Sequence, residues 1–137
     1  MSARTTLTAA IAARLATGWG ASSVFVGVGQ ANELEAPCVI LTPGDETPKS
    51  REPLGNVEIQ YSIAGYRSRL TVGGEEYTII DDIIDDIRAA VEACGTLPVY
   101  SITYSGASPI YSEAGGDIVG AELRYSISTP YVQNLGD

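Results

Sequence analysis

The sequence predicts an α+β domain with one mostly antiparallel β-sheet and two helices packed on one face of it, in the order α-β-β-β-α-β-β. Two observations lead to this fold class. The stretches with strand character cluster between two helical stretches, whereas the two types alternate one for one in a doubly wound fold. Several strands also alternate apolar with polar residues, while strands of a sheet covered on both faces form continuous apolar runs.

The length and composition describe one folded domain. The chain has 137 residues, enough to bury a sizeable core. Hydrophobic residues make up 45% and charged residues 18%, which is typical of folded domains and argues against wholesale disorder. We expect residues 1–137 to form a single domain, with residues 128–137 as a flexible C-terminal arm.

The first half of the chain contains one helix and two short strands. A helix is predicted over residues 3–17, because Leu7, Ile11 and Leu15 recur every four residues and form an apolar stripe. Gly18 stands where a helix commonly ends. The valine-rich residues 22–29 and the apolar residues 36–43 follow as strands. Residues 43–56 contain three prolines and mixed charge, which predicts an exposed loop.

The second half begins with strict alternation. Val57, Ile59, Tyr61 and Ile63 occupy one face of a predicted half-buried strand, and Arg67 and Arg69 follow after it. A second helix is predicted from about residue 76 to residue 93, preceded by a glycine pair and ended by a further glycine. Residues 99–104 form the next strand, SGASP forms a turn, and residues 119–127 form the last strand.

The chain is acidic, with a net charge of −9 from seventeen acidic and eight basic residues. DNA phosphates and anionic lipid repel such a chain, so affinity for either is not expected. It has no apolar run of about 18 residues, so no membrane span is expected. The N-terminal residues have the pattern of a helix and lack the apolar centre of a signal peptide, which predicts a cytoplasmic product.

The cysteine and histidine content narrows the chemistry. The absence of histidine excludes His-based zinc sites and nucleophiles that a histidine activates. Cys38 falls in a strand-like run and Cys94 at a helix end. We expect both to be reduced packing residues, because two thiols in a cytosolic chain seldom form a disulfide.

The segment TIIDDIIDDIR, residues 78–88, places four aspartates within six residues. A DDxxD pattern can hold Mg²⁺ against a diphosphate, so Asp81, Asp82, Asp85 and Asp86 could serve a metal-dependent phosphate-processing enzyme. On a helix at about 100° per residue, however, the aspartates gather on one side and the isoleucines on the other. Metal chemistry would also need a second acidic cluster and basic residues for the phosphates, and the chain has one lysine. We therefore favour a solvated helix face and expect no metal, cofactor or catalytic residue.

The stretch VGVGQANE, residues 26–33, begins like the glycine fingerprint of a dinucleotide site. Asn32 occupies the place of the third glycine, and only seven residues separate Gly29 from Pro37, too few for the helix that would carry the pyrophosphate. A strand that ends in a loop is the favoured interpretation.

Half of the basic residues fall in two places, Lys49 with Arg51 and Arg67 with Arg69. A phosphate or DNA site, contacts to the acidic surface of a neighbouring subunit, and solvated charge are all open uses of these residues. Against a net charge of −9, subunit contacts are favoured over a phosphate or DNA site, and scattered solvated charge is favoured over both. Glu46 lies in the same predicted loop as Lys49 and Arg51. The candidate subunit interface consists of Glu46, Lys49, Arg51, Arg67 and Arg69.

The order and spacing of five segments resemble the tail terminator (tail completion) proteins of long-tailed bacteriophages. The segments, in chain order, are TLTAAIAARL, APCVILTPGDE, VEIQYSIAGYRS, IIDDIIDDIRAAV and GAELRYSISTPY. The likeness spans nearly the whole chain as a pattern of elements and lengths.

The resemblance implies a structural, non-enzymatic protein of the virion, assembled in the host cytoplasm. Such proteins form a ring, typically a hexamer, that caps the finished tail tube and offers a surface to the head. The implied partners are copies of the chain, the tail tube protein and the head–tail connector proteins, and DNA passes through without specific binding. Other neck and head-completion proteins share this size and topology and stay open as an alternative.

Overall fold

A computed structural model describes residues 3–27, 36–48, 56–93, 101–112 and 116–130. The two long helices and five strands have the predicted order α-β-β-β-α-β-β, with two short helical segments added: a 3-10 helix at Ala21–Ser23 before the first strand, and a short α-helix before the second long one. The elements are α1 (Ala3–Trp19), β1 (Val24–Val26), β2 (Cys38–Pro48), β3 (Asn56–Ser68), α2 (Arg69–Val72), α3 (Glu76–Glu92), β4 (Ser101–Ile110) and β5 (Ile118–Pro130).

The five strands form one sheet in the order β1-β2-β3-β5-β4. β1 runs parallel to β2, and every other neighbouring pair is antiparallel. β3 and β5 are paired along thirteen residues each, so they form the centre of the sheet. The predicted α+β class with a mostly antiparallel sheet is therefore confirmed.

Both long helices pack on one face of the sheet, as the strand alternation predicts. The predicted inward residues of β3 are all buried, and every second residue of β5 from Val119 to Thr129 is buried with them. α3 lies very close to the sheet at Gly65, where an added Cβ would come within 2.8 Å of Ile87 and 2.9 Å of Ile83. A glycine at this position gives the helix room to pack.

The first helix is longer than predicted. The buried stripe of Leu7, Ile11 and Leu15 continues to Trp19, which is 9% exposed. Because Trp19 lies four residues beyond Leu15 on the same stripe, its burial extends the helix through Gly18. The helix ends instead at Trp19, and the next residue, Gly20, leaves the helical region with a φ of 91°.

The second long helix has the predicted orientation. Its buried residues are all apolar, and its four aspartates are exposed; the buried residues are Ile79, Ile80, Ile83, Ile87 and Val91. Arg14 of α1 donates from Nη1 to the carbonyl oxygens of Ala93 at 2.6 Å and Val91 at 3.3 Å. A guanidinium at this end satisfies carbonyls that lack a partner within the helix and opposes the negative end of the helix dipole.

The prediction of a loop over residues 43–56 is wrong for residues 43–48. Residues 43–48 continue β2, with a register shift between Pro43 and Glu46 where the strand pairs with β3. Among the described residues, β1 covers β2 only from Val39 to Leu41, so residues 42–48 lie at an edge in this part of the structure, where proline is tolerated. Residues 49–55 lie outside the described part.

Two further strand boundaries differ from the prediction, because here too a strand extends further than its local composition indicates. SGASP is not a turn: β4 continues to Ile110, and a register shift between Tyr104 and Gly106 accommodates the glycine, whose φ is 126°. Residues 128–130 belong to β5, where Ser128 pairs with Ser101 and with Glu58, so they are not part of a flexible arm. Residues 131–137 lie outside the described part.

The remaining expectations have mixed outcomes. In the predicted strand at residues 22–29 only Val24–Val26 is strand, and residues 28–35 lie outside the described part. Arg67 does not follow β3 but lies within it. Cys38 is free and buried, as a packing residue should be, and burial raises the pKa of its thiol. Cys94 lies outside the described part. Within that part, neither long helix is apolar enough over a sufficient length to cross a bilayer.

Candidate functional site

The aspartates of α3 face solvent, and one of them has a structural partner. Asp81, Asp82 and Asp85 are exposed, while Asp86 accepts a hydrogen bond from Nη2 of Arg67 at 2.6 Å. Among the described residues, no three carboxylate or thiol side chains are grouped so that they could hold a metal ion. The motif is thus a charged helix surface that faces solvent, and one of its aspartates forms an ion pair with a residue of the sheet.

Arg67 links three elements of the fold. Its guanidinium carbon lies 4.3 Å from the centre of the Trp19 ring, and its Nη2 contacts Asp86 on α3. The Arg67 side chain is 20% exposed, so it covers the indole while its charged end stays near solvent. The candidate interface residue Arg67 is therefore occupied by contacts within its own chain.

The candidate interface residues do not gather on one surface. Glu46 is exposed on β2 and pairs with Ile59, eight residues before Arg67 along β3. At roughly 3.3 Å per strand residue, this separation is about 26 Å. Arg69 lies next to Arg67 at the first position of α2, and Lys49 and Arg51 lie outside the described part. The described residues therefore belong to two ends of the sheet.

A network at the start of α3 holds the end of β4. Oε1 of Glu76 accepts hydrogen bonds from the backbone N–H of Ser112 at 2.8 Å and from its hydroxyl at 2.6 Å. These two bonds lower the pKa of the Glu76 carboxyl, and the guanidinium of Arg69, 4.0 Å from Oε2, acts in the same direction. The backbone N–H of Arg69 donates to the carbonyl of Asp117 at 2.7 Å. α2, α3, β4 and β5 are thereby joined at one end of the sheet.

The same end of the sheet carries most of the exposed apolar side chains in the described part. Five of the six large ones lie there, and we call this set the apolar end: Leu70 (79% exposed), Tyr77 (61%), Tyr111 (56%), Val72 (50%) and Ile118 (44%). The pairing of Ser68 with Ile118 and the hydrogen bonds that Ser112 donates to Glu76 bring their elements together.

A cleft of about 450 Å³ opens at the apolar end. Arg69, Leu70, Gly74, Gly116 and Asp117 line it. One guanidinium, one carboxylate and a mostly exposed leucine do not form a constellation for acid–base or nucleophilic catalysis. The cleft and the surrounding apolar side chains instead have the composition of a contact surface.

A second network ties the end of α3 to the sheet. Glu92 accepts hydrogen bonds from Nε of Arg88 at 2.6 Å and from the hydroxyl of buried Tyr125 at 2.8 Å. Arg88 lies over the ring of Tyr104 at 4.1 Å, and the rings of Tyr104 and Tyr125 are 5.6 Å apart. The Arg88 bond is the main cause of a lowered pKa at Glu92, while burial and the Glu92 carboxylate raise the pKa of Tyr125. This arrangement packs α3 against β4 and β5.

The sheet face opposite the helices is polar along β3 and β5. Gln60 donates to Glu58 at 3.1 Å and to Ser126 on the neighbouring strand at 3.3 Å. Arg124 donates to Ser108 on β4 at 3.0 Å. These side chains are half-buried or exposed, so hydroxyl, amide and charged groups form an open polar surface.

The glycine stretch shows no sign of a phosphate cradle in its described part. Gly27 has a φ of 71° and follows β1 in a bend, where its N–H donates to the carbonyl of Leu41. This geometry fits the favoured interpretation of a strand that ends in a loop. Gly29 and Asn32 lie outside the described part.

The apolar end was not recognised in the sequence, although a signal was present. Leu70 and Val72 stand between the alternating strand and the glycine pair, so they belong to no apolar stripe of either element. Tyr111 lies just beyond β4, outside the alternation of that strand, and is exposed. Apolar residues outside both periodic patterns are the signal that marks this surface.

No protein-family model and no curated protein sequence matches the chain.

Proposed function

We propose that the protein is a structural component of a long-tailed bacteriophage that forms a ring, caps the tail tube and joins it to the head. The proposal starts from the resemblance to tail terminator proteins. The observed order of two long helices and five strands agrees with the fold on which that resemblance rests.

The apolar end is the single observation that carries the proposal. Exposed apolar side chains concentrated in one place are typical of surfaces that bind another protein. They lie on α2, on the start of α3 and at the adjoining ends of β4 and β5, all held together by the Glu76 and Arg69 bonds. A preformed surface of this kind suits contact with a tail tube or a connector, which the ring meets along its axis.

The net charge of the chain suits a ring that surrounds DNA without binding it. Six copies at −9 each carry −54 in total. The aspartates of α3 and the acidic residues of β2 remain exposed. An acidic ring repels the phosphate backbone, so DNA would pass through its opening without adhering.

A tube-growth assay tests the proposal. Tail tube protein from the same phage is polymerised with and without the purified chain, and tube lengths are measured by electron microscopy. We expect the chain to stop elongation and to appear as a cap at one tube end. Leu70→Ser should weaken capping, because it removes the most exposed apolar side chain, while its stability changes by less than about 0.5 kcal/mol.

The assay also separates the alternative neck or head-completion role. A chain that binds connectors but leaves tube length unchanged would be such a neck protein. Thr78→Ser on the exposed side of α3 serves as a conservative control and should cap as the wild type does. Failure of the wild-type chain to bind either tubes or connectors would contradict the proposal.

A further inference from the structure

Exposed carboxylates adjoin the apolar end. Tyr77, which belongs to the apolar end, is followed on the same face of α3 by Asp81 and Asp85, because residues four apart on a helix are neighbours. From Tyr77 to Asp85 this face extends about 12 Å along the helix. Glu75 directly precedes α3, and Asp117 lines the cleft. All four carboxylates are exposed, and we call this set the acidic rim: Glu75, Asp81, Asp85 and Asp117.

The acidic rim is not neutralised within the described part of the chain. None of its four carboxylates forms an ion pair with another described residue. Three arginines form ion pairs with carboxylates of α3 outside the rim: Arg67 with Asp86, Arg69 with Glu76 and Arg88 with Glu92. Arg14 donates to carbonyl oxygens at the other end of α3. The negative charge beside the apolar end is therefore available to a partner.

The two basic residues outside the described part, Lys49 and Arg51, lie too far along the sheet to neutralise the rim. They belong to the connection between Pro48 and Asn56, where β2 and β3 pair at the end opposite Ser68. At roughly 3.3 Å per residue, β3 separates these two ends by about 40 Å. The connection is anchored at both ends, and its seven residues span at most about 25 Å when fully extended.

This combination of apolar side chains and carboxylates discriminates between candidate occupants of the surface. A second copy docked through the same surface would place one acidic rim against another, which like charge disfavours. Anionic lipid would meet the same repulsion. A protein surface with apolar side chains and a surplus of lysine or arginine is complementary in both respects.

We infer that the apolar end binds a basic, apolar segment of a partner protein. Its apolar side chains contact Leu70, Val72 and Tyr77, and its lysine or arginine side chains contact the acidic rim. The inference deepens the proposed function and rests on it only for the identity of the partner, the tail tube protein or a connector. It states the chemistry that the partner must present where it meets the ring.

Two synthetic peptides test this chemistry without a phage partner. Both have leucine at helical spacing, and the remaining positions are lysine in one peptide and glutamate in the other. We expect the lysine peptide to bind the wild-type chain in isothermal titration and to shift the NMR signals of Leu70, Tyr77 and Asp81. The glutamate peptide should not bind, and added salt should weaken binding of the lysine peptide, because the charges involved are exposed.

A charge-matched pair of variants locates the basic contact. Asp81→Asn combined with Asp85→Asn removes two exposed carboxylates of the rim and should raise the Kd of the lysine peptide at least about threefold. Asp45→Asn combined with Glu46→Gln removes two exposed carboxylates of β2 and should leave this Kd nearly unchanged. Because both variants have the same net charge, a difference between them reports position.

A second matched pair locates the apolar contact. Val72 at the apolar end and Val26 on β1 are 50% and 48% exposed, so serine at either position removes a similar exposed apolar area. Val72→Ser should raise the Kd about fivefold, since half of a valine side chain loses its burial in the complex. Val26→Ser should bind as the wild type does. Circular dichroism and thermal unfolding check that every variant stays folded.

Each outcome bears on the inference. Equal binding of the two peptides, no binding of the lysine peptide, or equal weakening within either matched pair would overturn it. Self-association of the wild type that Val72→Ser abolishes and Val26→Ser does not would assign the apolar end to a second copy, and would overturn it as well. Peptide binding as expected, in a chain that binds neither tail tubes nor connectors, would instead contradict the proposed function alone.

Discussion

Arg67 and Asp86 form an ion pair at 2.6 Å that joins the central strand β3 to the acidic side of α3. The same guanidinium lies 4.3 Å from the ring centre of Trp19 at the end of α1. One side chain therefore connects both helices to the sheet. It also accounts for one aspartate of a motif that resembles a metal site in the linear sequence.

Replacing Arg67 with alanine should lower the free energy of unfolding by about 1–2 kcal/mol. The loss combines the contact over the indole with an ion pair that is weakened by the exposure of Asp86. Urea unfolding followed through the fluorescence of Trp19, the one tryptophan in the chain, measures it. Asp85→Asn is the control, since Asp85 is exposed and no ion pair joins it to another described residue. An equal loss in both variants would contradict the assigned role of Arg67.

Alanine substitutions at three glycines should change the free energy of unfolding in different directions. At Gly120 an added Cβ would lie 2.5 Å from the backbone oxygen of Gly65, which cannot move aside, so Gly120→Ala should cost about 3 kcal/mol. Gly65→Ala meets side-chain methyl groups of Ile87 and Ile83, which can yield more easily than backbone, and should cost less. Gly18→Ala meets nothing within 4 Å in α1 and should stabilise the protein by about 0.5–1 kcal/mol. Thermal unfolding of the three variants checks the order, and a reversed order would refute the close packing.

The Glu92 network should make stability sensitive to acid. Bonds from Arg88 and Tyr125 lower the pKa of Glu92 in the folded state, so its contribution is complete above the ordinary value of 4.5. That contribution is lost as the pH falls from about 4.5 through the lower folded pKa. Unfolding measured from pH 6 to pH 3 should therefore depend less steeply on pH in Glu92→Gln. Asp82→Asn, which removes an exposed carboxylate on the same helix, is the control, and its stability should keep more of the wild-type dependence on pH. The same pH dependence in both variants would argue against the network.

Ser112 should control the ionisation of Glu76. Its hydroxyl and backbone N–H are the leading causes of the lowered Glu76 pKa, so Ser112→Ala removes one of them and should raise that pKa toward its ordinary value. The remaining backbone bond and Arg69 should keep the pKa below 4.5. NMR titration of the side-chain carboxyl measures this pKa, and Ser108→Ala, on β4 but away from Glu76, should leave it unchanged. A Glu76 pKa that does not move in Ser112→Ala would rule out the bond.

The parts of the fold that follow a local period were predictable from sequence. The four-residue recurrence from Leu7 to Leu15 and the two-residue alternation from Val57 to Ile63 both correspond to buried faces. The isoleucines of α3 likewise separate from its aspartates. In each case burial repeats with the period of the element itself, so the sequence contains the necessary information.

The strand ends were not predictable in this way. Residues 43–48 and SGASP have the proline, glycine and serine content of turns, yet each pairs with a neighbouring strand through a register shift. Ser128 reads as part of a polar tail, but it has a partner on both sides in the sheet. These pairings are set by residues distant in the chain, which local composition does not reveal.

The candidate site was predictable only in part. The sequence identified the aspartates of α3 as a solvent-facing surface, and the structure agrees. The role of Arg67 depends on Asp86, 19 residues away, and on Trp19, which comes together with it only in the folded chain. The apolar end depends in the same way on the meeting of four separate elements.

The mass and shape of the purified assembly test the central claim most directly. Light scattering and negative-stain electron microscopy, applied to the chain at high concentration and to the chain mixed with tail tubes, measure both. The account predicts closed rings of about 86 kDa, six copies of the 14.3 kDa chain. Particles of 14.3 kDa alone, with no ring on the tubes, would contradict it.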